Sequence, residues 1–388
     1  MIRNFKRTAA IAGIVAVSSA TLVACGDSDD TETTTKSETA VETSNATETV
    51  AATTEAAAGS YELSGNKGEL KGEGSSAQKN AVDYFAQQYA AKVNGASVAY
   101  TASGSGNGVK NFIANQVAFA GSESPLKDDE IEPAKDRCGG NEAWHLPFVI
   151  EPVAIAYNLE GVDNLVVTPE LLAKIFRGEV TKWNDPAVAE VNKDAKLPEQ
   201  DIHVVYRSDS SGTSDNFQKF LAASTKGDWD ASSGKQFPGV VGEGADKSTG
   251  VANAVQTIPG SITYVDLGNA QQNGLGIAQL DLGNGPVELN PDTVGKALDN
   301  LTFKTEGHNM VVDSTKLYEQ NAAGTYPLVV TSYEIVCSAG YDDQVRGQVK
   351  DFLNVSLDSQ DDTLAQLGYI PVKGKWAQQL REAIDAIA

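Results

Sequence analysis

The chain of 388 residues predicts an α/β fold over residues 61–388. Three observations carry that expectation. Strand-like apolar segments alternate with segments of helical period, the order that builds α/β domains. Several strand-like segments hand over to the next helix through a turn rich in Gly and Ser. The folded part is also long enough for two domains of ordinary size.

The elements follow in order. "SSAQKNAVDYFAQQYAAKVNG" places Val82, Phe85, Tyr89 and Val93 at helical spacing, behind a serine N-cap and ahead of Gly95 as a stop. "SVAYTA" follows as a strand, "GSGNGVKNFIAN" as a glycine-rich turn opening a helix, and "VAFA" as a short strand. "WHLPFVIEPVAIAYNL" is the longest apolar extended run. "TPELLAKIFRG" is a helix with Thr168 as cap, Pro169 in its first turn and Gly178 at its end. "DIHVVYRS" is a strand that leads through a polar turn into the helix "DNFQKFLAA", whose Phe217, Phe220 and Leu221 share one face. "GVANAVQTIPGSITYV" repeats helix, turn and strand, and "YPLVVTSYEIVC" is another long β run.

The N-terminal region has a different character. Residues 1–24 carry Arg3, Lys6 and Arg7, then a short apolar run and small residues, the layout of a secretory signal. "LVAC" resembles a bacterial lipobox, so Cys25 is expected to become a lipidated first residue, with acyl chains holding it at the extracytoplasmic face of the cell membrane. The alternative is a plain signal peptide with an incidental cysteine. Residues 25–60 are almost all Thr, Glu, Ala, Ser and Asp, too polar to bury a core, and are expected to form a disordered tether.

With 30 basic against 52 acidic residues the chain carries a formal charge of −22, which disfavours nucleic acid as a partner. No run of about 20 apolar residues suggests a spanning helix. Beyond Cys25 the cysteines are Cys138 and Cys337; in an exported protein a disulfide is the simplest reading, and a metal pair is the alternative. His145, His203 and His308 are scattered without the spacing of a zinc site. No metal and no cofactor are expected.

Three turns lie where a strand meets a helix: "GEGSSAQ" at 72–78, "GSGNGVK" at 104–110 and "RSDSSGTSDN" at 207–216. In an open α/β sheet such turns collect at the carboxyl ends of the strands, where ligands bind. Each offers backbone N–H groups at a helix start with short hydroxyl side chains beside them, a setting that suits an oxyanion. Gly and Ser are also ordinary turn and cap residues, so a single such loop says little. Arg207 adds a planar cationic fork, and Asp209 is placed to brace it; the other reading is a surface ion pair.

"RSDSSGTSDNF", "GSGNGVKNFIANQVAFAGSESPL", "IFRGEVTKWND" and "IPGSITYVDLGNAQQNGL" together resemble the phosphate-binding proteins of Pst-type ABC transporters, in matching order from about Lys67 to the C-terminal helix. "DRCGGNEAW" and the lipobox resemble the lipoprotein branch of that family. The resemblance implies a two-lobed periplasmic-binding-protein-like fold of type II, closing over one phosphate about a hinge of two crossing strands. The first crossing would follow "LPFVIEPVAIAYN" and the return would lie in "YPLVVTSYEIVC". One lobe would then comprise 61–158 and 326–388, and the other 159–325. Cys138 and Cys337 would lie near the first-lobe side of the hinge.

The same resemblance implies a ligand set: the Ser76 hydroxyl, the Ala77 N–H, the Ser105 hydroxyl, Arg207 as the cation, and Ser211, Gly212 and Thr213 at a helix start, with Asp209 supporting Arg207. Glu123 stands where the family has aspartate. Ala77 stands where the family often has an aromatic residue, which would leave the rim more open. The implied partners are inorganic phosphate and the permease subunits of an ABC transporter with a separate ATPase subunit, the protein itself being a monomer and no enzyme.

A phosphate-binding surface sensor or adhesin would share this site. A hydrolase using Ser210 or Ser211 lacks the G-x-S-x-G elbow. "GEGADKST" at 242–249, with Lys247 and Ser248, looks like a phosphate loop except that Asp246 takes the place of its last glycine.

Overall fold

The computed structural model describes residues 61–230 and 234–388. The expected signal segment, Cys25 and the tether lie outside the described residues. The strands are β1 (Gly68–Gly74), β2 (Ala96–Thr101), β3 (Phe119–Ser122), β4 (Ala143–Asn158), β5 (Val166–Val167), β6 (His203–Arg207), β7 (Glu243–Ala245), β8 (Ser261–Asp266), β9 (Gly276–Ile277), β10 (Gln279–Asp281), β11 (Pro286–Val287) and β12 (Val329–Cys337). One mixed sheet runs β2-β1-β3-β12-β4-β8-β6-β7, with β9 also paired to β4; β5, β10 and β11 form a small second sheet.

At one end β1 lies parallel between β2 and β3. At the other β6 lies parallel to β7 and β8. Both parallel groups need helical crossovers, and the alternating sequence supplies them. β12 and β4 join the two ends antiparallel. β4 is the long apolar run, and its two halves have different neighbours: residues up to Pro152 pair with β12, whereas Val153–Asn158 pair with β8. Thirteen of its 16 residues are buried, as expected of a strand covered on both faces.

Most helices stand where the hydrophobic period puts them. α1 (Lys79–Lys92) buries Val82, Phe85 and Tyr89, and stops before Gly95, whose φ of +87° favours glycine. Its start differs from expectation. The N-cap is Gln78, with no side-chain cap bond, because the neighbouring serine hydroxyls are used elsewhere. α2 (Ser105–Ile113) follows the second glycine-rich turn, and α3 (Asp128–Arg137) ends against Cys138.

In α4 (Pro169–Arg177) the Thr168 hydroxyl accepts from Leu171 N at 3.2 Å, and Gly178 closes the helix in the left-handed region. A short α5 (Pro186–Val191) precedes β6. α6 (Gly212–Ser224) begins three residues before the apolar pattern does, because Ser211 caps it by accepting from Ser214 N at 3.1 Å. α7 (Lys247–Thr257) follows β7.

Two aromatic groups fill the core on either side of the central strands. Phe119 stacks on Phe352 with ring centroids 5.3 Å apart, and Tyr89 packs edge-on to the same ring. Phe217 stacks on Tyr264 at 4.4 Å, with Phe176 and Phe237 around them. Burying each ring is worth roughly 2–3 kcal/mol, so these clusters anchor the helices that carry the polar turns. Cys138 and Cys337 are joined in a disulfide, Cα atoms 5.4 Å apart, tying the end of α3 to the end of β12. Among the described residues no helix is long and apolar enough to cross a membrane.

Candidate functional site

Four strand-to-helix turns converge on one point. The sequence marks three of them; the fourth is β7 to α7, the segment that looks like a broken phosphate loop. The carboxylate of Glu123, just past the end of β3, is at the focus and buried. Its Oε1 accepts from Ser75 Oγ at 2.7 Å and from Thr213 Oγ1 at 3.0 Å, and its Oε2 accepts from Ser105 Oγ. Asn216 Nδ2 donates to the Glu123 carbonyl at 2.7 Å and so fixes the backbone beneath it. Gly212 has to be glycine here, since a Cβ would collide with Glu123 Oε2. Its N–H donates to Ser105 Oγ at 3.1 Å.

Arg207, at the end of β6, is 3% exposed. It donates to Asp209 in the two-pronged fashion of a guanidinium on a carboxylate, Nε to Oδ1 at 2.7 Å and Nη2 to Oδ2 at 2.6 Å. Burial pulls the Arg207 pKa down, and the bonds and charge of Asp209 more than restore it, so the net shift is upward. Burial likewise pushes Asp209 up, but Arg207 and the Lys247 N–H at 3.1 Å bring it below the ordinary carboxylate range. Both groups remain charged at neutral pH. The third prong, Nη1, donates to Ser248 Oγ at 3.2 Å.

Ser76 belongs to this second cluster. Its Oγ accepts from Ser248 N at 3.1 Å and lies 3.2 Å from Ser248 Oγ. The turns from the two ends of the sheet are further joined by Gly106 N donating to Ser210 O at 3.1 Å. Ser76, Ser105, Glu123, Arg207, Gly212 and Thr213 are thus gathered at one place, with Asp209 behind the arginine. Ser211 is buried alongside, engaged as the cap of α6. Ala77 is 1% exposed rather than on an open rim, because the Tyr369 hydroxyl donates to its carbonyl at 2.6 Å and covers it.

Two members of the site escaped the sequence reading. Ser75 is one residue from the expected contact and donates to Glu123. Ser248 follows the Asp246 that disqualifies the phosphate-loop pattern; the strand–turn–helix context of "GADKST" was the signal that could have found it. Of the histidines, His145 is a core residue. Its Nε2 accepts from Leu126 N at 2.9 Å, so its Nδ1 donates to Asn309 Oδ1 at 2.8 Å. Burial lowers its pKa to about 4.

A row of carboxyls lies under the cradle on the central strands. Glu151 of β4 accepts from Ser332 Oγ at 2.5 Å through Oε1 and has no partner for Oε2; Glu334 of β12 has none for either oxygen. Burial, then the Glu123 charge, raises Glu151 well above its ordinary pKa, and burial raises Glu334 to about 8. Asp266 at the end of β8 is raised by burial despite its bonds to Asn269.

Two parallel half-sheets joined by antiparallel central strands, with helix-start turns from both converging on one dry polar point, define a two-lobed binding protein of the periplasmic type. Residues 51–360 match the family model described as a PBP superfamily domain. The phosphate-binding protein PstS 3 of Mycobacterium tuberculosis is 42% identical over 326 residues, covering 84% of this chain and 88% of that protein. PstS 2 of the same organism is 36% identical over 389 residues, 99% of this chain and all of that protein. The chain belongs to the PstS family of phosphate-binding proteins. A phosphate-binding protein from Stenotrophomonas maltophilia shares the fold, with a TM-score of 0.60 at 22% identity over 81% of this chain and 93% of that one.

Proposed function

We propose that the protein binds inorganic phosphate outside the cytoplasm and delivers it to the permease of an ABC transporter, whose separate ATPase subunit does the ATP chemistry. One observation carries the choice of ligand: a buried cation, Arg207, and a buried carboxylate, Glu123, share a cradle otherwise made of hydroxyls and helix-start N–H groups. The cation and the N–H dipoles suit an oxyanion, and the carboxylate can accept only from an oxyanion that carries a proton. Phosphate carries one at neutral pH and sulfate does not, so sulfate meets unshared negative charge.

The phosphate contacts are Ser76 Oγ, Ala77 N–H, Ser105 Oγ, Glu123, Arg207, and Ser211, Gly212 and Thr213 at the start of α6, with Asp209 holding Arg207. One lobe comprises 61–158 and 326–388 and the other 159–325; the change of partners along β4 supports that division. The protein works as a monomer, anchored by lipid on Cys25 and a tether long enough to reach the permease.

Capture involves no covalent chemistry. Ser211 Oγ is taken by the helix cap, and among the described residues no histidine bonds to Ser210 or Ser211, which supports binding over hydrolysis.

Calorimetric titration with phosphate and sulfate at neutral pH, on wild type and on Glu123→Gln, tests the reading. Wild type is expected to favour phosphate by at least about 100-fold, roughly 3 kcal/mol, and Glu123→Gln to narrow the gap by accepting sulfate. Equal affinity of wild type for the two anions would sink the proposal. Loss of high-affinity phosphate uptake in cells lacking the chain is the expected sign of the transport role.

A further inference from the structure

Beside the cradle, a second set of bonds uses none of the groups assigned to the anion. Ser124 Oγ donates to Asp215 Oδ2 at 2.5 Å, and Asn216 Nδ2 donates to the Glu123 carbonyl at 2.7 Å. Ser124 follows β3, in the half comprising 61–158 and 326–388; Asp215 and Asn216 stand near the start of α6, in the half 159–325. All three side chains are buried, so the bonds form away from competing water, and the one on Asp215 is charge-assisted.

Each end of these bonds is fixed from its own side. Ser122 Oγ donates to the Ser124 carbonyl at 2.6 Å and accepts from Ser124 N at 3.2 Å, which holds the serine in its turn. Asp215 Oδ2 also accepts from Lys219 Nζ at 2.6 Å, one helical turn on. The Asn216 amide donates to Gly212 O at 3.0 Å as well, so its Oδ1 is the acceptor, and Tyr318 OH donates to it at 2.9 Å. Tyr318 in turn packs edge-on to Phe220 of α6. When the cross-bonds part, Asp215 keeps its cation and Asn216 keeps a donor and an acceptor. Neither is stranded, so the pair can open and close again.

Other bonds around the cradle are of a different kind. Thr213 Oγ1 to Glu123, Gly212 N–H to Ser105 and Ser248 N–H to Ser76 each use a group that an anion in the cradle would take for itself. Nor does close packing replace the cross-bonds on this side: a cavity of about 170 Å³ against Glu123 is lined by Pro125, Thr331 and Tyr333 from one half and by Asn216, Lys219 and Leu317 from the other.

We propose that Asp215 and Asn216 are positioning residues that clasp α6 to the turn carrying Glu123, holding the two halves together whether or not an anion is bound and so setting how long an anion is retained. Because the clasp acts on closure and touches no anion, it slows release by the same factor for every anion the cradle accepts. The inference rests on the reading of the molecule as a two-lobed phosphate carrier divided at 159 and 326.

The test compares wild type with Ser124→Ala and Asn216→Ala, each of which removes one donor of the clasp. Stopped-flow kinetics should show phosphate leaving about tenfold faster from each variant, with no fall in the association rate. Affinities for phosphate and arsenate, protonated tetrahedral anions of like charge, should fall by the same factor. In an Asp215→Ala background, Ser124→Ala should add nothing, because the serine has then lost its partner. In ligand-free protein, small-angle X-ray scattering should give both variants a larger radius of gyration than wild type.

Unchanged release or an unchanged radius of gyration in both variants overturns the proposal. So does a loss carried by slower association, a shift in the arsenate-to-phosphate ratio, or full additivity of Ser124→Ala with Asp215→Ala. If wild type binds no phosphate, the phosphate reading fails separately, and the radius of gyration decides the clasp alone. Should Asn216→Ala fold poorly for want of its bond to Gly212 O, Ser124→Ala leaves α6 intact and answers the same question.

Discussion

Arg207 and Glu334 are buried to the same degree, 3% and 2% exposed, and the protein treats their charges in opposite ways. Arg207 sits where a strand becomes a turn, with a carboxylate two residues on, a serine from the next turn and helix N–H groups beside it. Its charge is matched and kept. Glu334 sits within a strand of the central sheet, between apolar neighbours and other carboxyls. Among the described residues no cation acts on it, and the same desolvation that Asp209 offsets for Arg207 drives Glu334 toward the neutral acid. Burial alone therefore does not decide ionisation; the local supply of a counter-charge does, and turns at strand ends supply it where strand interiors do not.

Removing the match should have the largest effect. Arg207→Met leaves Asp209 buried and unpaired, so about 3–5 kcal/mol of stability is expected to disappear together with at least about 100-fold in phosphate affinity. Adding Asp209→Asn should recover most of the melting temperature and none of the affinity. Recovery of affinity by the double variant would show that Arg207 acts through Asp209 and not on the anion.

The opposite manipulation at Glu334 should be smaller and of opposite sign. Its folded pKa, about 8, lies above the ordinary value of 4.5, so its contribution to stability is complete below about pH 4.5 and is lost as pH rises toward 8. Glu334→Gln removes that loss, and at pH 8 denaturant melts should show a gain of about 2–4 kcal/mol that vanishes near pH 4.5. A gain independent of pH would mean that the carboxyl is not the source of the cost.

The smallest effect belongs to Ser248, which links the two regions' logic by lending a neutral hydroxyl to Arg207 and to Ser76. Ser248→Ala is expected to weaken phosphate binding about fivefold, roughly 1 kcal/mol, with little change in melting temperature.

Much of this was legible in the chain. The helix with Thr168 and Gly178 at its ends, the long run that became β4, and the turns carrying Ser76, Ser105 and Arg207 all depend on neighbours a few residues away. Periodicity and caps report such local relations. The start of α1 was misplaced for the converse reason: the serines that look like caps are drawn to Glu123 and Ser248, which are distant in sequence. Ser248 escapes a local reading because "GEGADKST" resembles a phosphate loop broken by Asp246, which hides one more strand-to-helix turn.

The sequence by itself determined the order of strands, helices and polar turns, and, through its match to a family, the residues expected to meet a ligand. Only the tertiary structure decided that Ser75 and Ser248 join them and that Ala77 is covered. It alone placed Gln78 against Tyr100, 22 positions away, and buried Glu334, 256 positions from Gln78, with no partner for either carboxyl oxygen. Local structure is set by short-range sterics and spacing, which a sequence displays. The protonation of a buried group is set by which distant atoms share its dry surroundings, and that exists only after the strands have paired.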